Sequence, residues 1–262
     1  MANLTFMNNT IFDHGASNQL GQVLAMHGIR RPLLCTDKGL VNLGMVTDLV
    51  SHLGNDAALT VFDGTPENPT QMAVEEAVAA YQEAGCDGVV ALGGGSSMDL
   101  AKAVALAVTH EEDLLQYTAG LGGAGKIGTV APLIAIPTTS GTGSEVSSGA
   151  VIIMNNGEKL ILASRNLVPM TSICDPSLTL GLPPLLTAAT GMDAMTHCIE
   201  ALLSPQINPP AEAVACDGIE RGIREGNLVK AVKDGSDEDA RWHMMMAAAE
   251  GAMGFSKGLG SV

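Results

Sequence analysis

Short hydrophobic runs alternate with amphipathic stretches through about residue 175. PLLCTD (32–37) predicts a strand, followed by a helical stretch ending near Gly54. AALTVF (57–62) predicts another strand. In TQMAVEEAVAAYQEAG (70–85), Val74, Val78 and Tyr81 share one helical face and Glu75 and Glu76 take the other. Thr70 suits the N-cap, and Gly85 stands just past the end. GVVAL (88–92) predicts a buried strand, then come glycines, then the helical SMDLAKAVALAV (97–108). APLIAIP (131–137) predicts a further buried strand. AVIIM (150–154) and KLILAS (159–164), joined through Asn155-Asn156-Gly157, predict a hairpin appended to the sheet. Strand–helix alternation of this kind implies a parallel sheet covered by helices.

After DPSLTLGLPP (175–184) the strand pattern stops. Helices are expected over about 185–203, 207–225 and 237–254. Pro183-Pro184 marks the boundary between an α/β domain, 1–183, and a helical domain, 184–262.

Composition narrows the function. The chain has 262 residues, 46% hydrophobic and 16% charged, enough to bury a sizeable core. Its net charge of -15 leaves no basic stripe to displace counterions, which argues against nucleic acid as a partner. Five cysteines, at 35, 86, 174, 198 and 216, are irregularly spaced without a CxxC, as expected of a reduced, cytoplasmic chain. The N-terminal stretch lacks the pattern of a signal peptide. No apolar run reaches the roughly 18 to 20 residues that span a membrane.

Two motifs fail on context. GLGGAG (120–125), with Lys126, approximates a phosphate loop, but no strand precedes it and Ile127 stands where a hydroxyl would reach Mg²⁺. It reads as a flexible surface loop. WHMMMAAAEGAM (242–253) reads as core filler, not a soft-metal box. His14, His27, His52, His110 and His243 lack ligand spacing to a second histidine.

Other segments carry chemistry. In VVALGGGSSMDLAKA (89–103) a buried strand runs through Gly94, Gly95 and Ser96 into a helix. Free N–H groups and the positive end of the dipole suit a phosphate there, and Ser96 can cap the helix. A tight turn without ligand is the alternative. PTTSGTGSEV (137–146) gathers hydroxyls and glycines at a strand's carboxyl end, the edge where open α/β sheets bind ligands; a structural polar loop is the alternative. Asp37 ends a strand and suits either an adenosine ribose or a helix N-cap.

In GMDAMTHCIEA (191–201), Asp193 and His197 are separated by about 400° of helical rotation and so share a face. Either they satisfy each other, or they ligate a divalent metal. Two ligands alone do not make a catalytic site.

Together, GGGSSMDLAKA (93–103), PTTSGTGSEV, DPSLTLGLPP and GMDAMTHCIEA, in that order, resemble the iron-containing (group III) alcohol dehydrogenase family along the whole chain. The resemblance implies a Rossmann-like parallel-sheet nucleotide-binding α/β domain, followed by the start of an all-helical domain of the dehydroquinate synthase-like kind, with the active site in the cleft between. It implies that Asp37 holds the adenosine ribose of NAD and that Asn68 lines the cleft. Gly94, Gly95 and Ser96 would cradle the pyrophosphate. Thr138, Thr139, Thr142 and Ser147 would follow the phosphates and nicotinamide, Lys159 would reach the nicotinamide ribose, and Leu178 would pack nearby. Asp193 and His197 would hold Fe²⁺, with Zn²⁺ as the alternative.

The family places a third metal ligand, a histidine, directly after a GFSKGLGSV-like segment, and Val262 stands just before that position. A fragment or a natural truncation is therefore expected, with apolar helix surface left uncovered. The implied activity is hydride transfer between a short-chain alcohol or aldehyde and NAD, in a homodimer or higher homo-oligomer. Glycerol or hydroxy-acid oxidation is the alternative reaction, and a non-catalytic NAD-binding module is the alternative class.

Overall fold

The structure, a computed structural model, describes residues 2–4, 8–53 and 58–258. The predicted helix end at Gly54, the first residue of the strand predicted over 57–62, and residues 259–262 of GFSKGLGSV lie outside them. The chain opens with β1 (Ala2–Leu4), β2 (Asn9–Phe12), α1 (Leu20–Met26) and β3 (Pro32–Cys35). Next come α2 (Lys38–Asn42), α3 (Met45–Ser51), β4 (Thr60–Phe62) and α4 (Gln71–Glu83). β5 (Gly88–Gly93), α5 (Gly95–Ala107), β6 (Leu133–Pro137), β7 (Gly149–Ile153), β8 (Lys159–Ala163) and β9 (Thr171–Cys174) complete this half.

Six strands run parallel in the order β2-β9-β6-β5-β3-β4, and β1 joins the β2 edge antiparallel. Pleating sends alternate residues to opposite faces. Leu33, Val89 and Leu133 are in register and enter one core with α4 and α5. Leu34, Val90 and Ile134, one step along, enter the other core with α1 and α3. The chain passes from β3 to β4 on one side and then to β5 on the other. That reversal opens a crevice at the carboxyl ends of β3 and β5.

The expected Rossmann-like sheet is present, with two differences. β7 and β8 form their own two-stranded sheet rather than extending the main one. Ala150, Ile152 and Leu162 of this hairpin are buried in the same core as α5, so it covers that helix. This is why α5 is apolar nearly all round. β2 and β9 were not anticipated, because NTIF and TSIC are too short and too polar to show a period.

The helical half contains α6 (Pro184–Leu203), α7 (Pro209–Ile219), α8 (Asn227–Lys233) and α9 (Glu238–Gly254). The single helix expected over 207–225 ends early. A π-helical turn, Glu220–Arg224, follows α7, and Gly226 then takes a left-handed φ of 75° that starts α8. Met244, Met245 and Met246 are buried, as core filler should be. α6 leaves Leu185, Met192, Ile199 and Leu203 exposed along one side. Among the described residues, no helix is long and apolar enough to cross a membrane.

Candidate active site

The crevice at the strand reversal is a cleft of about 440 Å³ lined by Asp37, Thr65, Pro66, Glu67, Gly94, Ser96 and Ser97. Asp37 follows β3 and caps α2, its Oδ1 accepting from Leu40 N–H at 3.0 Å. Both readings of this carboxylate are therefore compatible: it caps a helix, and it stands in the cleft.

Gly94 is the N-cap of α5 and offers no side-chain bond. The first backbone bond into this helix runs from Met98 N–H to Gly94 C=O, so the N–H groups of Gly95, Ser96 and Ser97 precede it. The expected Ser96 cap is not formed. Ser96 lies inside the first turn, and its hydroxyl donates to the Glu67 carbonyl instead. That bond ties the glycine turn to the cleft's opposite wall.

The threonine turn leaves β6 and lies against the glycine turn. Thr138 is buried and its N–H donates to Gly93 C=O at 3.0 Å. A Cβ built on Gly94 would meet Thr139 Oγ1 at 3.2 Å, and one on Gly95 would meet Thr142 Cγ2 at 2.7 Å. Further along, a Cβ on Gly141 would lie 2.9 Å from Thr190 Cβ on α6. Gly143 has φ +59° and backs onto Ala248 O of α9, 2.5 Å from where a Cβ would stand. One turn therefore touches the glycine loop on one side and the helical half on the other.

Lys159 Nζ donates to Asn68 Oδ1 at 3.0 Å, which joins two predicted cofactor residues across 91 positions of sequence. Leu178 is partly buried against the core face that also packs Leu40 and Val41. Ser147 is held by Lys102, whose Nζ donates to its carbonyl at 2.9 Å and its hydroxyl at 3.1 Å.

Lys102 itself was missed, along with Asp99 and Glu145. Lys102 is fully buried, and burial pushes its ammonium down to about 8. Burial raises Asp99, with Lys102 opposing, and pushes Glu145 up to about 7. The signal existed: two charges three positions apart in an otherwise apolar helix need partners, the argument already applied to Asp193 and His197.

On α6, Asp193 Oδ1 and His197 Nε2 are 3.5 Å apart. The His197 ring packs edge-to-face on Phe255 with centroids 4.7 Å apart. Its Nδ1 is buried with no hydrogen-bond partner. A converging oxygen and imidazole nitrogen suit a divalent cation of the Fe²⁺ or Zn²⁺ kind. Among the described residues, no group of three His, Cys, Asp or Glu side chains surrounds such a position. The donor types of Asp193 and His197 fit a divalent metal.

The rejected motifs stay rejected. GLGGAG folds as two short 3-10 turns, with Lys126 paired to Glu112 at 2.8 Å. It is more compact than expected, since Gly123 is buried where a Cβ would meet Tyr117 Cα at 2.5 Å. His27 bonds Thr171 Oγ1, His110 reaches Gly128 N–H and His243 meets Arg221.

The family model for iron-containing alcohol dehydrogenase matches residues 8–176, and that family's C-terminal model matches residues 187–261. The chain belongs to the iron-containing alcohol dehydrogenase family. Within this family it is 52% identical over 263 residues to a 4-hydroxybutyrate dehydrogenase of Cupriavidus necator, covering 100% of this chain and 68% of that one. It is 36% identical to alcohol dehydrogenase 4 of Schizosaccharomyces pombe, covering 94% of this chain and 58% of the relative. Among solved structures, a 1,3-propanediol oxidoreductase superposes with TM-score 0.87 at 36% identity, covering 94% of this chain and 64% of that one. A sulfoacetaldehyde reductase from Bifidobacterium kashiwanohense, solved in complex with NAD+, gives TM-score 0.88 at 30% identity, covering 97% and 65%. The chain thus spans about two thirds or less of each of these relatives.

Proposed function

We propose that this chain serves hydride transfer between NAD and the carbinol carbon of a short alcohol or hydroxy acid, with a divalent metal on Asp193 and His197. The observation that carries the reading is the threonine turn. It contacts the glycine turn through Thr139 and Thr142 and the metal helix through Gly141 and Thr190. A cofactor in the cleft and a metal on α6 would therefore face a shared wall. Iron is the favoured metal, in keeping with the family. A hydroxy acid is the favoured substrate class, supported by the 52% identical 4-hydroxybutyrate dehydrogenase.

When bound, the metal would act as a Lewis acid on the alcohol oxygen and NAD+ would take the hydride, giving aldehyde, NADH and a proton. The chain's own part is orientation. Gly95, Ser96 and Ser97 would present N–H groups to the pyrophosphate. Asp37 would accept from the adenosine ribose and repel a 2′-phosphate, which favours NAD over NADP. The Lys159–Asn68 pair would close the wall beside the nicotinamide ribose. Asp193 and His197 would fix the metal on the far side of the threonine turn. We read residues 1–183 and 184–262 as separate domains of a cytoplasmic homo-oligomer. All five cysteines are unpaired, and the exposed apolar side of α6 calls for a covering partner.

The test is an anaerobic incubation with Fe²⁺, NAD+ and 4-hydroxybutyrate deuterated at the carbinol carbon. Deuterium in NADH is the expected result. No transfer from 4-hydroxybutyrate, 1,3-propanediol or glycerol would sink the dehydrogenase reading. NAD+ binding without transfer would assign the chain instead as a nucleotide-binding module.

A further inference from the structure

α5 carries two charged side chains that the cofactor reading does not use, the fully buried Lys102 and the half-buried Asp99. Lys102 Nζ donates to Ser144 Oγ at 2.8 Å, Ser147 O at 2.9 Å, Ser147 Oγ at 3.1 Å and Gly149 O at 2.7 Å. Three N–H groups thus serve four acceptors, all between Ser144 and Gly149, the first residue of β7. Asp99, one helical turn earlier, accepts from Ser144 Oγ at 2.8 Å and from Val151 N–H at 2.9 Å. The Ser144 hydroxyl joins the two charged groups.

This arrangement is costly for a helix otherwise packed in apolar residues. An alkyl side chain would fill the same volume without desolvating an ammonium. Apolar packing, however, is non-directional. An ammonium with four short bonds fixes where the segment sits. Upstream of that segment, Thr139 and Thr142 lie against Gly94 and Gly95. Downstream, the β7–β8 hairpin carries Lys159 to Asn68. Lys102 does not line the cleft, and it reaches the cofactor elements only through Ser144, Ser147 and Gly149.

We propose that Lys102 is a positioning residue for the cofactor cleft, holding the threonine turn and the β7–β8 hairpin on α5 so that both face the ligand carried by the glycine turn. The inference rests on the reading of this cleft as a dinucleotide site.

The charged groups facing Lys102 are Asp99 on its own helix and Glu145 on the threonine turn, with Lys159 on β8 acting through Asp99. Glu145 changes charge near pH 7 and Lys102 near pH 8. Above that value the amine loses its charge and one N–H, leaving two N–H groups for four acceptors.

The experiment is calorimetric titration of NAD+ into wild type, Lys102→Met and Arg241→Met across a pH series, with thermal unfolding of each free protein. Arg241→Met removes a buried cation from the helical half and controls for general destabilisation. The expected result is an affinity loss of about tenfold in Lys102→Met, with Arg241→Met unaffected. Wild-type affinity should also fall as pH rises through about 8, a limb missing from Lys102→Met. Unchanged affinity in Lys102→Met with only a lower Tm would overturn the proposal. If that variant does not fold, a flat wild-type profile across that pH range overturns it equally. A wild type that binds no NAD+ at any pH would instead bring down the dinucleotide reading, and this inference with it.

Discussion

Thr142 lies over Gly95, and a Cβ added at Gly95 would come within 2.7 Å of Thr142 Cγ2. The absent side chain at Gly95 leaves room for the facing turn. Gly95→Ala must push the threonine turn outward. Overpacking of this kind costs about 1–3 kcal/mol. NAD+ affinity should fall about tenfold, read by calorimetry, and a variant that binds like wild type would show that the two turns move independently.

Asp37 combines a cap with a carboxylate, and one substitution separates them. Asparagine caps helices about as well as aspartate, so Asp37→Asn should leave Tm nearly unchanged. It removes the charge that would exclude a 2′-phosphate. The ratio of NADP+ to NAD+ dissociation constants should move toward unity. An unchanged ratio would take Asp37 out of cofactor selection.

Glu250 lies at the contact of α7 with α9, where Arg221 Nε donates to Glu250 Oε1 at 3.2 Å and to Asp217 Oδ2 at 2.9 Å. Burial, then a hydrogen bond shared with Asp217, pushes Glu250 up to about 8 from 4.5. The native state therefore holds a proton that the unfolded chain has released. Its stabilising effect is complete below pH 4.5 and is lost as pH rises toward 8. Denaturant unfolding should show stability falling across this window, by at most about 1.4 kcal/mol per pH unit from this one group. Glu145, raised to about 7, adds to the lower part. Asp217 is shifted downward and acts below the window. Glu250→Gln should flatten the slope, and an equal slope in both proteins would place the proton elsewhere.

Arg241 is buried on α9 and donates to Thr187 Oγ1 at 2.8 Å, Gly235 O at 3.1 Å and Leu182 O at 3.3 Å. These bonds hold the entry of α6 against α9. Arg241→Met leaves the acceptors unmet and should cost about 2–4 kcal/mol, seen as a lower Tm. NAD+ affinity should not change, because none of these groups approaches the cleft.

Much of this was legible because it is local. The strands predicted at 32–37, 88–92 and 131–137 are built on the apolar runs PLLC, GVVAL and LIAIP, and their uniform burial follows from a sheet covered on both faces. Asp193 and His197 meet because four helical residues bring them together whatever surrounds them. The break between α7 and α8 was hidden, since Gly226 acts through a left-handed backbone that the periodic pattern does not reveal. Lys102 was hidden for another reason: its partners lie 42 to 47 positions away and become visible only once the hairpin is folded onto α5. The Ser96 hydroxyl was assigned to its own helix because Glu67, 29 positions earlier, could not be seen to approach.

The central claim is that the glycine and threonine turns together hold a dinucleotide. The direct measurement is calorimetric titration of NAD+ into the purified chain, repeated with NADP+ and with the Gly95→Ala variant. The account predicts saturable one-to-one binding of NAD+, weaker binding of NADP+, and a clear loss in Gly95→Ala. No heat of binding with NAD+ at concentrations that saturate ordinary dehydrogenases would contradict it.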